Sequence, residues 1–312
     1  MSMRPAEATA HTRGDMPLAS VALAPRRRAH VPPRALRASR VLLRSRLFVT
    51  GLLICIPLAL VALFAPLIAP YDPLAIQARE RFQPPSPSHL MGTDNLGRDI
   101  FSRVVYGAHI SFEVGFASVA LGLLLGVVIG AFGGYVGGVV DTLAMRVMDA
   151  VLAFPAILLA LALVTILGPS LLTVMTAIAL VRVPIFARTV RSSVLGEREK
   201  DYVQAARCLG QSDLVILARH IMPNSISPIL VLGTSYFATA IVLEASLSFL
   251  GLGVTPPDVS WGTMLNESRQ YMERYPWAPL FPGLAITLAV LGFNLLGDGL
   301  RDLLDPRLRS AL

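Results

Sequence analysis

Charge is what this sequence has least of. Asp, Glu, Lys and Arg make up only 15% of its 312 residues, against about a quarter in soluble domains, while 54% are hydrophobic and the mean hydropathy is +0.64. That shortage excludes an ordinary soluble domain and leaves an integral membrane protein. Lysine is nearly absent: Lys200 is the single one, and no glycine-rich phosphate loop precedes it, so the chain supplies no P-loop ATPase of its own. Cysteine is scarce as well. Cys55 lies in an apolar run and Cys208 in a distant polar stretch, a placement that disfavours a disulfide and reads as two structural thiols. The five histidines, at 11, 30, 89, 109 and 220, fall outside the centres of the apolar runs and lack metal-ligand spacing, so the reading contains no catalytic residue and no metal site. A net charge of +7 suggests nucleic acid at first sight, but the arginines cluster beside the hydrophobic runs, where they set membrane orientation.

What the chain has in abundance is long apolar runs. Residues 1–40 form an Arg-, Pro- and Ala-rich arm without aromatics, which composition marks as disordered. Residues 41–312 then read as one all-α, polytopic membrane domain. Its six spans fall at about 47–69, 110–132, 143–167, 171–187, 226–249 and 280–300. The first run is too long for a secretory h-region, and no convincing cleavage site follows it, so it reads as an uncleaved span. Segments assigned to the inside carry 21 basic residues and those outside carry six, which puts both termini in the cytoplasm. In the second span Gly122, Gly126, Gly130 and Gly134 recur every fourth residue, a helix-packing face.

Between the fourth and fifth spans lies a polar, basic island, 197–224, whose core reads YVQAARCLGQSDLVILARHIMPN. The expectation is two short helices broken at Gly210, with Ser212 or Asp213 capping the second and Pro223 stopping it. Small residues Ala205, Ala206 and Gly210 leave the turn open to another protein's surface. A DNA-binding helix-turn-helix is the bland alternative, but short tethers to apolar runs leave no free domain to enter a groove.

Gln204-Ala205-Ala206, Gly210 four residues after Ala206, and Pro223 thirteen further on resemble the "EAA" loop of binding-protein-dependent ABC importer permeases. This loop has Gln204 for the usual glutamate, and His220 and Met222 where Ile and Leu are common. Two other stretches, Gly92–Ser111 (GTDNLGRDIFSRVVYGAHIS) and Glu244–Gly253 (EASLSFLGLG), are similar to the C-type permease of dipeptide and oligopeptide importers. The resemblance implies a type I ABC importer permease fold in a bacterial inner membrane, and a cytoplasmic coupling loop seated in an ATPase groove. It also implies a homologous second permease subunit, two ABC ATPase subunits, an extracytoplasmic substrate-binding protein and surrounding lipid, with no nucleic acid. The chain would need no cofactor, ATP and Mg being bound by the partner ATPases. Short peptides are the implied cargo, with nickel and glutathione carried by related systems.

Several charged residues are left to place. Asp94, Arg98, Asp99 and Arg103 read as a solvated, mutually paired helix start. Arg146 and Asp149, three apart, read as an intrahelical pair. Arg182 is expected to reach the inner interface or a wet cavity, with Pro184 bending the helix beside it. Glu113 lies near the outer interface and, with Arg182 and Glu244, is a candidate for the translocation pathway or an interchain contact. Glu244 has no local partner, and the expectation is that it faces the translocation cavity or a second permease chain. Rival readings are an ion-coupled secondary carrier, which needs matched broken helices that are not seen, and a membrane enzyme, which needs a polar cluster within the spans.

Overall fold

The computed structural model describes residues 45–304, so the arm at 1–40 and the basic tail lie outside the described residues. Within them every regular element is helical. Helix α1 (Arg46–Leu63) starts at Ser45, whose Oγ accepts from the Phe48 N–H at 3.3 Å. Phe64 breaks this helix, and Pro66 opens a single further turn, α2 (Ala65–Ile68). The first span is therefore interrupted before its expected end at 69.

After a loop holding one 3₁₀ turn (Ala78–Glu80), helix α3 (Ile100–Val136) runs for 37 residues, about 55 Å at 1.5 Å per residue. It begins ten residues ahead of the expected 110, because Arg103 and His109 hid a helical start from a hydropathy reading. Asp99 caps it, accepting from the Ser102 N–H at 2.7 Å.

The third expected span, 143–167, is not one helix. It divides into α4 (Gly138–Leu152) and α5 (Ala156–Leu167), which meet at 90°. Pro155 supplies no N–H and disfavours helical geometry at Phe154, so the apolar run turns a corner there.

Helix α6 (Leu171–Arg198) is capped by Ser170 and passes through Pro184 without ending, continuing eleven residues beyond the expected 187. A short helix α7 (Asp201–Cys208) follows. Helix α8 (Asp213–Val215) leads through a π turn (Ile216–Ile221) into α9 (Met222–Phe249) as one continuous 37-residue rod. Pro223 thus does not stop the second arm of the island: the wider π turn accommodates its ring and missing donor. Helices α10 (Trp261–Ser268) and α11 (Trp277–Leu304) are the last two among the described residues. Among the described residues five helices are long and apolar enough to cross a membrane, and the bent pair α4–α5 counted as one makes six.

The core is the packing of α3 along α6, with α9 laid across both and α1 against α11. The α3–α6 approach is closest at the glycines. A Cβ on Gly126 would lie 2.4 Å from Phe186 Cβ, and one on Gly130 only 2.2 Å from the Ala187 carbonyl oxygen. Gly122 and Gly134 face Ala179 and Arg191 in the same way. Phe112, Phe237 and Phe293, from α3, α9 and α11, cluster with ring centroids 4.0–5.6 Å apart.

Candidate functional site

The island forms an elbow at the end of the bundle. Helix α7 closes with a Schellman pair: the Gln211 N–H donates to the Ala206 carbonyl at 3.3 Å, and the Gly210 N–H to that of Arg207 at 2.9 Å. That closure needs a left-handed residue, and Gly210 sits at φ +74°. Val203 and Ala206 turn inward onto Ile216, Ile221, Val190 and Val194. Ala206 is thus a floor residue, 4% exposed, and not part of the open surface expected for it. Gln204, Ala205, Gly210, Ser212 and Asp213 are exposed, joined by two side chains that sequence reasoning passed over, Leu209 (80%) and Leu214 (74%). Their apolarity in an otherwise polar island was the available signal.

Ser212 stands at the N-cap position but makes no side-chain cap bond, and Asp213 is engaged elsewhere, accepting from the Tyr135 hydroxyl at 2.5 Å. Arg207 stacks over the same tyrosine ring at 5.7 Å. A second set of ties holds the elbow's other side. Lys200 pairs with Glu197 at 2.5 Å, Tyr202 donates to Glu197, and Asn224 Nδ2 donates to the Tyr202 hydroxyl at 3.2 Å. Burial, and then the hydrogen bond to the Glu197 carboxylate, push the Tyr202 phenol above its ordinary range. His220 Nε2 donates to Gln211 Oε1 at 2.8 Å, across the elbow. The arrangement is a pre-shaped, partly apolar knob whose second arm continues directly into α9, while its first arm, α7, meets α6 across a turn at Glu199 and Lys200.

Among the polar groups of the bundle, Glu244 and Asp149 have partners that differ from expectation. Glu244 is fully buried within the chain and does have partners: Ser248 Oγ donates to it at 2.7 Å, and Ser111 Oγ lies 3.4 Å from its other oxygen. It therefore faces neither a cavity nor another chain. Those partners stand on the next turn and on α3, out of reach of a search among immediate neighbours. Glu113 is exposed beside an apolar cleft of about 690 Å³ between α1, α3, α9 and α11. Arg182 is half-buried near the middle of α6 and not at its end, with its guanidinium 4.8 Å over the Tyr236 ring. Asp149 pairs with Arg188 of α6 instead of Arg146, since the break at Phe154 brings the end of α4 against that helix.

At the opposite end, the residues read as a solvated helix start are buried and joined to a distant partner. Arg98 contacts Asp94 at 2.6 Å and Glu267 at 2.7 Å, while Arg103 contacts Asp94 at 3.0 Å and Glu267 at 2.8 Å. His89 bridges Asp99 and Glu80 at 2.9 and 3.2 Å. Glu267 lies 164 residues from Arg103, so spacing gave no hint of it. Among the described residues no three His, Cys, Asp or Glu side chains converge as metal ligands.

Residues 122–310 match the family described as binding-protein-dependent transport system inner membrane component. Residues 36–85 match the N-terminal TM domain of oligopeptide transport permease C. A dipeptide transport system permease protein, DppC, of Alkalihalophilus pseudofirmus is 48% identical over 273 residues, 88% of this chain and 90% of that one. A putative peptide transport system permease protein of Brucella suis biovar 1 is 50% identical, covering 87% and 91%. The glutathione transport system permease protein GsiD of Escherichia coli is 47% identical, covering 86% and 88%. An inward-facing structure of the MetNI methionine ABC transporter superposes with TM-score 0.54 at 17% identity, over 65% of this chain and 97% of that one. An amino acid ABC transporter superposes with TM-score 0.51, over 64% and 94%. These two likenesses concern the fold.

Proposed function

The chain belongs to the family of binding-protein-dependent transport system inner membrane components, and from that premise we propose that it is the permease through which an ATP-driven importer passes short peptides. The cargo follows from relatives named for peptide transport and nearly half identical across almost the whole chain. Glutathione, itself a tripeptide, is a second cargo reading, favoured by the Escherichia coli relative. A binding protein outside would deliver the peptide, a homologous second permease would complete the conduit, and two ATPase subunits would power it. The chain makes and breaks no covalent bond; ATP and Mg sit on the ATPases. Both termini lie in the cytoplasm in this reading, as the excess of arginine on the inner segments favours.

One observation carries the coupling assignment: the exposed second arm of the elbow runs from Asp213 through the π turn into α9 as one rod, while α7 joins α6 across a turn at Glu199 and Lys200, so a push on Leu214 is delivered straight to the bundle. The test is Gly210→Trp, in which no neighbouring atom lies within 4 Å of the new Cβ and only backbone strain and partner approach are affected. Forcing a bulky residue into the left-handed region costs about 1–2 kcal/mol. In proteoliposomes carrying the whole complex, Gly210→Trp should lower ATP-driven peptide uptake about tenfold or more. Gly210→Asn, which tolerates that conformation, should stay close to wild type, and peptide affinity of the binding protein should not change. Undiminished uptake by Gly210→Trp would remove the elbow from the coupling path.

A further inference from the structure

Glu113 is a carboxylate that neither the elbow nor the buried clusters account for. It stands one turn inside the start of the second span expected at 110, where headgroups meet hydrocarbon, and it is exposed. Among the described residues no hydrogen bond or ion pair reaches its carboxylate. An ionised side chain on a spanning helix is costly unless water or an opposite charge meets it.

The same residue lines one end of the apolar cleft of about 690 Å³ between α1, α3, α9 and α11. The walls are mostly hydrocarbon, from Phe116 and Leu123 of α3, Leu63 of α1, and Leu230 and Phe237 of α9. Along α3 the lining runs from His109 to Leu123, fourteen residues or about 21 Å. Spread over that length the volume averages a cross-section of about 33 Å², a bore of about 6–7 Å, whereas a helix with its side chains measures about 10–12 Å. A second helix is too thick for such a slot, and an extended alkyl chain is not. From Glu113 to Leu123 is ten residues, about 15 Å, which is half of a hydrocarbon layer about 30 Å thick and so the depth of one leaflet.

Bore and length thus suit one acyl chain, and the carboxylate at the headgroup end selects what is attached to it. A primary ammonium brings a positive charge and three N–H donors for charge-assisted bonds to Glu113. A quaternary ammonium brings the charge without the donors, and an anionic headgroup is repelled. We propose that this cleft is a lipid site, holding one acyl chain of a phospholipid whose primary-ammonium headgroup binds Glu113. On the topology proposed above the lipid belongs to the outer leaflet. Only the bilayer-spanning fold is required for this, so it holds whatever the cargo.

The experiment takes the complete complex from nanodiscs of equal parts dioleoylphosphatidylethanolamine, dioleoylphosphatidylcholine and dioleoylphosphatidylglycerol into mild detergent, and counts retained lipids by native mass spectrometry. The acyl chains are identical, so only headgroups are compared. Wild type should retain the ethanolamine lipid about tenfold over the choline lipid, or about 1.4 kcal/mol, and the glycerol lipid least. Glu113→Gln should bring the ethanolamine and choline lipids to parity, while Glu113→Asp, which keeps the carboxylate, should keep the preference. Ala120→Trp puts an indole into the slot and should remove the tightly held lipid.

Equal retention of the ethanolamine and choline lipids by wild type, or a preference undiminished in Glu113→Gln, overturns the proposal. So does an Ala120→Trp complex that holds the ethanolamine lipid as wild type does, since the chain then lies elsewhere. Photoreactive benzoylphenylalanine substituted at Ala120 should join to lipid; joining to the second permease chain would give the cleft to a protein partner and overturn the lipid site. Should Glu113→Gln fail to assemble, the headgroup preference of wild type and its loss in Ala120→Trp decide.

Discussion

Tyr135, one residue from the end of α3, donates its hydroxyl to Asp213 at 2.5 Å, seventy-eight residues further along the chain. Arg207, on the other arm of the elbow, stacks on the same ring. One side chain of the glycine-bearing helix therefore holds both arms. Removing the hydroxyl in Tyr135→Phe should cost about 1 kcal/mol at this exposed position. Hydrogen exchange of the amides of 201–215 should accelerate about fivefold while that of α6 stays unchanged, as followed by mass spectrometry. Unaltered exchange in the elbow would mean that the tie holds nothing.

The glycine seam sets a different scale. Gly126→Leu or Gly130→Leu must drive α3 from α6, because the added Cβ already overlaps Phe186 or the Ala187 carbonyl. Overpacking of this kind costs about 1–3 kcal/mol or more. Each variant should lower the thermal midpoint of the purified protein in detergent. Gly283→Ala, where nothing lies within 4 Å, should not.

Glu267→Gln tests the opposite end. Its carboxylate serves Arg98 and Arg103 together, with the Arg103 side chain only 2% exposed. Neutralising it leaves two guanidinium groups sharing Asp94, which should destabilise by about 2 kcal/mol, less than a fully buried pair because Glu267 is partly solvated. Thermal unfolding in detergent should show the loss, and a double variant with Asp94→Asn should be far from additive.

At Glu244 the two substitutions to compare are Gln and Ala. The amide of Glu244→Gln can still accept from Ser248, so yield and stability should stay near wild type. Glu244→Ala leaves a void and a buried hydroxyl without its acceptor, and should cost about 2–4 kcal/mol. Equal behaviour of the two variants in thermal unfolding would show that the hydrogen bond contributes nothing.

Features set by local chemistry were legible in the sequence. The apolar runs located the principal rods, the four-residue spacing of Gly122 to Gly134 marked the face that meets α6, and Gly210 marked a left-handed closure. Features depending on distant partners were not. Asp94 and Arg103 read as solvated until Glu267 of α10 arrives beside them, and Asp149 could not announce Arg188. Hydropathy averages over backbone geometry, so the corner at Pro155 and the π turn before Pro223 passed unnoticed inside apolar or mixed windows. Ala206 was read with Ala205 and Gly210 as open surface, whereas α7 turns it inward onto Ile216 and the Schellman closure leaves Leu209 outside.

The right-angled corner between α4 and α5 has an outcome for the surrounding lipid. The arms hold 15 and 12 residues, about 22 and 18 Å long, and the hydrocarbon layer is about 30 Å thick. Neither arm alone reaches across. The lipid beside this flank therefore meets a crossing that takes both arms together, with the Asp149–Arg188 pair near the corner between them.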